Sequence, residues 1–447
     1  MADCSQFYAQ RDLRTVEYVG NQPFDAKPVH VAIDDKAATT PAGQLALLAL
    51  ANQLARVHRR ITFALSTPSI PLCVRVPFSA RTLGDALLST VSLIDPCGEF
   101  RLEARPNGQV VSIALGDEVG AGFDWYIGAD RAIGKLAKSP VGFSIATSTL
   151  RGAALAPCLG AAAVFRTMLG LETVPRSVSA WNYVDGVEAQ PGPETLERLD
   201  VGRVLMVGAG AVAASLVYWL IAFGVDGDWT VIDQDEVALH NTNRGLIFTP
   251  ADAGWPERTA RRKAAVLSAL ISGSRRDEVW YDQSKLTQEV YDVVLGLAND
   301  RDVRHLIASQ SNTITLHATT GVNWLSQLHR HIAGLDDCNW CRAGEIKTPA
   351  FKCSTADVEL PGGTKTDAAL PFLSAASGLM LATALQRLQL GELANQDRND
   401  WRWDFASAHK MASSSFRKCR DGCSRILPAE IRHKINRTGR WHKLDCK

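Results

Sequence analysis

In the second half of the chain, short apolar runs alternate with longer segments whose apolar residues recur at helical spacing. Strands are predicted at Arg203–Val207, Trp229–Asp233, Val293–Leu297 and Thr313–His317, and helices at Val212–Phe223, Arg261–Ser272 and Arg301–Ser309. This alternation predicts an α/β fold with a mostly parallel sheet and helices on both faces, because parallel neighbours need long crossover connections. The longest apolar stretch, Val204–Val225, runs 22 residues without a charge, enough to cross a bilayer. Gly208 and Gly210 interrupt it directly after a β-type segment. It therefore reads as a buried strand turning into a buried helix rather than as a membrane span.

The first half repeats the plan faintly. VHVAID, an apolar helix-like run over Gly43–Val57, and RITFAL follow the order of 203–233, but without the glycines. LGAAAVFRTMLGLE at 159–172 and LSAASGLMLATALQRLQLGE at 373–392 also share early small residues and a similar ending. An internal duplication with a degenerate first copy accounts for both echoes; two unrelated alanine-rich helices are the alternative. The stretch AQPGPETLERLD, near 190–200, combines a Pro/Gly linker with a charged helix start. Two domains are expected, 1–195 and 196–447.

Charge adds only an exclusion. The 48 Lys and Arg nearly balance the 47 Asp and Glu, so neither a nucleic-acid nor a membrane surface is indicated. The N-terminus MADCSQFYAQRDLR has no apolar core behind its charges, so a secretory leader is not expected and the cytoplasm is the expected compartment. Of the ten cysteines, those at 338–353 and 419–423 cluster. Cys4, Cys73, Cys97, Cys158 and Cys446 are scattered and are expected to pack or do nothing.

The segment VLMVGAGAVAASL fits G-x-G-x-x-G/A. Gly208 would allow the tight turn, Gly210 would admit a phosphate close to the backbone, and Ala213 would pack helix on strand. Free N–H groups at the helix N-terminus favour an anion there. Asp233, 23 residues after Gly210, ends the next strand, where such a fold sets an acid against a ribose hydroxyl. Cys338 and Cys341 form C-x₂-C, and Cys419 and Cys423 form C-x₃-C. Two such knuckles can close a tetrahedral thiolate cage around Zn²⁺, a structural site because no coordination position stays open.

The segment DQDEVALHNTNRGLIF is more specific. Asp233, Asn241 and Arg244 are spaced as in D-x-D-x-V-x-x-x-N-x-x-R, and with the glycine loop, the knuckles and Cys353 they make residues 200–425 resemble the ThiF/MoeB and ubiquitin-activating superfamily. The resemblance implies a Rossmann-like, ThiF-type adenylation domain preceded by a degenerate, inactive adenylation-like domain. Asn241 and Arg244 would hold the triphosphate, the guanidinium as a fork. On the bland alternative, Asn241 and Asn243 only cap a turn. The phosphate-contacting lysine is expected at Lys263, with Arg258 as fallback, because Glu257 stands at the direct position. The Mg²⁺ acid is expected at Asp300, although Asn299 occupies the formally aligned place.

The same resemblance makes Cys353 the residue that accepts the activated carboxyl group, in a loop of about 344–365 where Lys347 and Lys352 would lower its pKa. Arg11 is the candidate for an arginine reaching the ATP from the opposite half. The implied activity is ATP- and Mg²⁺-dependent adenylation of the C-terminal glycine of a ubiquitin-like protein, then a thioester on Cys353 and transfer to a conjugating enzyme. Two-part activating enzymes of bacterial antiphage conjugation operons are the most similar branch. A sulfur-carrier adenylyltransferase and a nonenzymatic scaffold are the alternatives. Two adenylation halves in one chain leave a homodimer open.

Overall fold

The computed structural model describes residues 3–12, 15, 24–78, 80–104, 108–144, 149–196, 198–282, 291–309, 314–321, 324–332, 335–343, 357–359, 365–367, 370–393, 397–421 and 423. Two sheets organise them. The first contains β1 (Val29–Ile33), β2 (Arg60–Ala64), β3 (Glu99–Leu102), β4 (Val111–Leu115), β5 (Trp125–Asp130), β6 (Ile133–Ala137) and β7 (Arg176–Ser179), in the order β3-β2-β1-β4-β5-β6-β7. The second is built from β8 (Asp200–Val207), β9 (Asp226–Ile232), β10 (Arg275–Asp277), β11 (Val293–Gly296), β12 (Ile314–Gly321) and β13 (Leu325–Ile332). A small hairpin of β14 (Asp357–Glu359) and β15 (Lys365–Asp367) stands apart, and β16 (Asp400–Asp404) and β17 (Ala412–Ser415) complete the second sheet. Its order is β10-β9-β8-β11-β12-β13-β16-β17.

The two orders match strand for strand over the first seven positions. In each sheet the first five strands are parallel and the next two antiparallel. This is the arrangement that a duplication predicts. It is also the doubly wound order, in which the direction of winding reverses between β1 and β4 and between β8 and β11. Ligands of such sheets bind outside the carboxyl ends of the strands at that reversal.

The helices are α1 (Cys4–Arg11), α2 (Asp35–Ala38), α3 (Pro41–Ala55), α4 (Leu83–Ile94), α5 (Arg151–Met168), α6 (Ala211–Phe223), α7 (Lys263–Ser268), α8 (Arg301–Ser309), α9 (Asn339–Ala343) and α10 (Pro371–Gln389). Helix α3 starts where Thr40 accepts the Gly43 N–H and Pro41 presets the first turn. Helix α6 ends at Gly224, whose left-handed φ of 66° lets Gly224 and Val225 donate back to Ile221 and Leu220. The uncharged run is thus the end of β8, a loop and α6, and among the described residues no helix is long and apolar enough to cross a membrane. Gly378 of α10 allows that helix to lie directly on α6: a methyl there would be 2.6 Å from the Leu216 nitrogen.

One continuous apolar core runs through both halves. Polar side chains stitch it across the junction: Tyr183 donates to the Met380 carbonyl at 3.1 Å, and Arg151 to Gln386 Oε1 at 3.2 Å. The chain passes from the first sheet to the second between Ser179 and Asp200, through the Pro/Gly-rich stretch.

Two expectations need correction. The helix read over 261–272 is only α7, because 261–263 lies against 235–237: Val237 donates to Arg261, Lys263 donates to Asp235, and Glu236 bridges Arg262. Helical dihedrals start only after that edge pairing ends. The scattered cysteines are not all idle either, since Cys4 and Cys97 are joined by a disulfide. Helix α1 folds back over the turn after α4, where Tyr8 and Arg11 both reach Asp95, and this brings Cys4 to Cys97.

Candidate functional site

At the carboxyl end of β8 the chain must turn sharply beside β11. Gly208 does so with φ +98°, and a methyl on it would lie 2.5 Å from the Ala298 nitrogen, so only glycine fits. Gly210 then caps α6 with no side-chain acceptor, and a methyl on Gly210 would meet nothing within 4 Å. The first N–H groups of α6 therefore border open space, the arrangement that accepts a phosphate.

Asp233 follows β9 and is mostly buried behind this loop. Its Oδ2 accepts the Ala209 N–H at 2.6 Å and its Oδ1 the Asp235 N–H at 2.8 Å. Burial pushes its pKa up, opposed by Lys263 and the two amides. Lys263, at the first turn of α7, pairs with Asp235 at 2.7 Å. Asp235 was not singled out from sequence, although the D-x-D spacing carries it. Arg258 is exposed.

The segment after Asp235 closes over the glycine loop. A 3₁₀ turn at Leu239–Asn241 is held by Asn241 Oδ1, which accepts the Ala238 N–H at 2.9 Å, and buried Asn243 donates to Thr15 at 3.2 Å. Asn241 thus performs the turn-capping work of the bland alternative, whereas Asn243 ties the segment to Thr15 of the first half. Half-buried Arg244 follows, and Gly245 backs onto α6, a methyl on it lying 3.2 Å from Ala214 Cβ and 3.5 Å from Ala211 Cα. Arg244 is thereby brought next to the N-terminus that Gly210 opens.

Asp300 lies just past β11, two residues beyond the Ala298 that Gly208 touches. It is the N-cap of α8: its Oδ1 accepts the N–H groups of Asp302 at 2.8 Å and Val303 at 3.0 Å. Asn299 beside it is exposed. One carboxylate at this rim, with Oδ1 occupied by the cap, is a donor of the type Mg²⁺ takes. Gly208, Gly210, Asp233, Lys263, Asn241, Arg244 and Asp300 thus gather around the β8/β11 reversal.

Arg11 departs from its expectation. It is fully buried, with Nη1 on Asp95 Oδ2 at 2.6 Å and Nε on Asp12 Oδ1 at 2.6 Å. Two carboxylates compensate its desolvation, so it anchors α1 to the turn after α4 instead of presenting a guanidinium to nucleotide. Cys353, with Lys347 and Lys352, lies outside the described residues.

The four knuckle cysteines converge. The sulfurs of Cys338, Cys341, Cys419 and Cys423 all lie within 4.8 Å of one another. The Cys338 N–H points to Cys419 Sγ at 3.2 Å and the Cys341 N–H to Cys338 Sγ at 3.4 Å, donors that stabilise thiolates. Cys338 is held well below the usual thiol range by the Cys419 hydrogen bond, against the opposing effect of burial. Asp337 supports the cluster from behind, accepting from Arg342 at 2.7 Å and Asn399 at 2.9 Å. Four sulfur donors this close fit a tetrahedral Zn²⁺.

Fold and cleft together define a doubly wound α/β protein with a glycine loop at its winding reversal. The ThiF family profile matches residues 187–424, and the chain belongs to the ThiF family. The chain is 31% identical to the sulfur carrier protein adenylyltransferase of Thermus thermophilus over 26% of its own length and 44% of that protein. It is 32% identical to the SAMP-activating enzyme E1 of Haloferax volcanii, over 26% of its own length and 43% of that protein. The chain therefore spans less than half the length of these curated relatives. Among solved structures, E. coli MccB with ATP superposes with a TM-score of 0.38 at 14% identity, covering 52% of this chain and 67% of that one.

Proposed function

We propose that this chain is an ATP-dependent adenylyltransferase that activates the C-terminal glycine of a ubiquitin-like protein. The observation that carries the reading is the meeting of the Gly208–Gly210 loop, the Asp233 carboxylate and Arg244 at one winding reversal. The glycine-loop amides and Arg244 would take the triphosphate, Asp233 a ribose hydroxyl and Lys263 a phosphate. A carboxylate oxygen of the carrier protein then attacks the α-phosphorus, the bond to the α,β-bridging oxygen breaks, and pyrophosphate leaves. Bound at Asp300, Mg²⁺ would offset phosphate charge. A thiolate at Cys353 would next attack the acyl adenylate, expelling AMP and leaving a thioester for a conjugating enzyme. Zn²⁺ on the four cysteines would be structural.

The first half, residues 1–195, is read as the inactive partner of the second. After β1, where β8 is followed by glycines, Asp34 accepts the Ala37 N–H at 2.6 Å and the Glu118 N–H at 2.8 Å. The protein's own carboxylate fills the anion position there. A sulfur-carrier adenylyltransferase is the second reading, favoured by the name of the Thermus relative; conjugation and antiphage defence belong to the first.

ATP–pyrophosphate exchange that depends on an added glycine-terminated ubiquitin-like protein tests adenylation, and its absence across such carriers would favour a scaffold. Given exchange, the wild type is expected to form a thiol-sensitive adduct that disappears in Cys353→Ala while exchange persists. Exchange without any adduct selects the sulfur-carrier reading. Asp300→Asn keeps an oxygen to cap α8 but removes the charge, so exchange is expected to fall at least tenfold, about 1.4 kcal/mol, with thermal stability unchanged. Undiminished exchange would move the Mg²⁺ role to another residue.

A further inference from the structure

Helix α3 of the first half is buried along nearly its whole length among alanines and leucines, yet Asn52 and, at its C-terminal cap, Arg56 sit within that packing. Both are fully buried. Among the described residues no carboxylate lies within ion-pair distance of Arg56; its Nε donates to Asn52 Oδ1 at 2.8 Å. Its Nη1 donates instead to main-chain carbonyls of the other half, those of Thr242 and of Phe248, the latter at 2.9 Å. Asn52 Nδ2 donates to a third, Leu246, at 3.1 Å. Burying a guanidinium without a counter-charge is costly. Burial and the neighbouring Arg11 push the Arg56 pKa down to about 9.

All three carbonyls belong to the segment that carries Arg244. The same segment meets the N-terminus of α6 through Gly245. We propose that Arg56 and Asn52 are positioning residues for the nucleotide cleft of the opposite half. They grip Thr242, Leu246 and Phe248, hold segment 241–248 against the glycine loop, and so fix where the Arg244 guanidinium stands. Neither residue touches nucleotide. The inference rests on the adenylation reading above and gives the inactive half a task in it: its helix holds one wall of the active cleft. Plain packing between halves would instead predict a cost in stability with no preference for this segment.

The test uses the full chain, with Arg56→Lys, Arg56→Met and Asn52→Leu, and three readouts: thermal unfolding, amide hydrogen exchange, and MgATP affinity by calorimetry. In Arg56→Lys, which keeps the charge but replaces the planar fork by a single ammonium nitrogen, exchange over 241–248 is expected to quicken and MgATP binding to weaken, each about tenfold, while β8, β11 and α10 stay protected. Asn52→Leu removes one grip of three and is expected to show about a threefold loss in both. Arg56→Met should exceed Arg56→Lys; if it does not fold, Arg56→Lys and Asn52→Leu decide. MgATP affinity within twofold of wild type in both of those variants, or exchange at 241–248 no faster than elsewhere, overturns the proposal. Failure of the wild type to bind MgATP sinks the adenylation reading instead, and exchange at 241–248 still decides the grip.

Discussion

Arg244→Ala is expected to lower carrier-dependent ATP–pyrophosphate exchange at least about 100-fold, the loss typical of removing one preorganised charged donor from a phosphoryl-transfer site. The argument is positional. The segment bearing Arg244 is fixed along its length: Asn241 caps its entry, Asn243 reaches Thr15, Arg56 holds Thr242 and Phe248, and Asn52 holds Leu246. A guanidinium on so constrained a backbone pays little reorganisation when charge develops on the phosphates. Because Arg244 is only half-buried, truncation should cost little stability, and the thermal transition of the variant should stay near that of wild type. Arg244→Lys should recover part of the rate, since a point charge replaces a planar fork. Exchange within threefold of wild type in Arg244→Ala would remove this residue from the proposed machinery.

The second sheet was legible because buried parallel strands appear as unbroken apolar runs, and Gly208 marks a place where the chain approaches its neighbour too closely for a Cβ. The bounds of α8 were legible for a local reason as well: Asp300 is its cap. The first sheet was legible only as an echo, since its turn after β1 is stabilised by Asp34 instead of glycines. What sequence could not show were pairings across long separations. Arg11 finds Asp95 and Cys4 finds Cys97 within the first half, and Arg56 finds Thr242 across the halves, each set by tertiary packing and not by neighbours in the chain. Asn52 and Arg56 did leave a signal, since with Gln44 and Gln53 they are polar positions in a run of alanines and leucines, which marks a buried hydrogen-bonding task before its partners are known.

That division bears on the candidate site. The motif residues mark the cleft, but Asn241 spends its side-chain Oδ1 on its own turn. Its value to a nucleotide then lies as much in shaping the segment as in touching phosphate. The candidate cleft of the second half therefore depends on contacts its own motif does not contain, namely α1 against the Leu239–Asn241 turn and α3 against 242–248.

Removing metal should expose how the C-terminal segment is tied down. One equivalent of zinc per chain is expected in the purified protein, and Cys419→Ser or a strong chelator should release it. Structural zinc in small domains is worth on the order of 10 kcal/mol. Here the loss should be local, because β16 and β17 stay paired and Asn399 still bonds Asp337 and the Arg417 carbonyl. Four sulfurs within 4.8 Å cannot all stay thiolates without a cation, because like charges disfavour one another, so they take up protons and lose the centre that held them together. The expected result is rapid proteolytic cleavage within 335–343 and after Arg417, with both sheets still protected and a lower unfolding temperature. Helix α9 would loosen with it, and with α9 the Trp340 ring that packs on His305 of α8, 4.4 Å between centroids. Because Asp300 caps that same helix, a weaker MgATP affinity after zinc removal is the further consequence to measure. Intact protection of 335–343 in Cys419→Ser would show that the Asp337 network alone holds the knuckles.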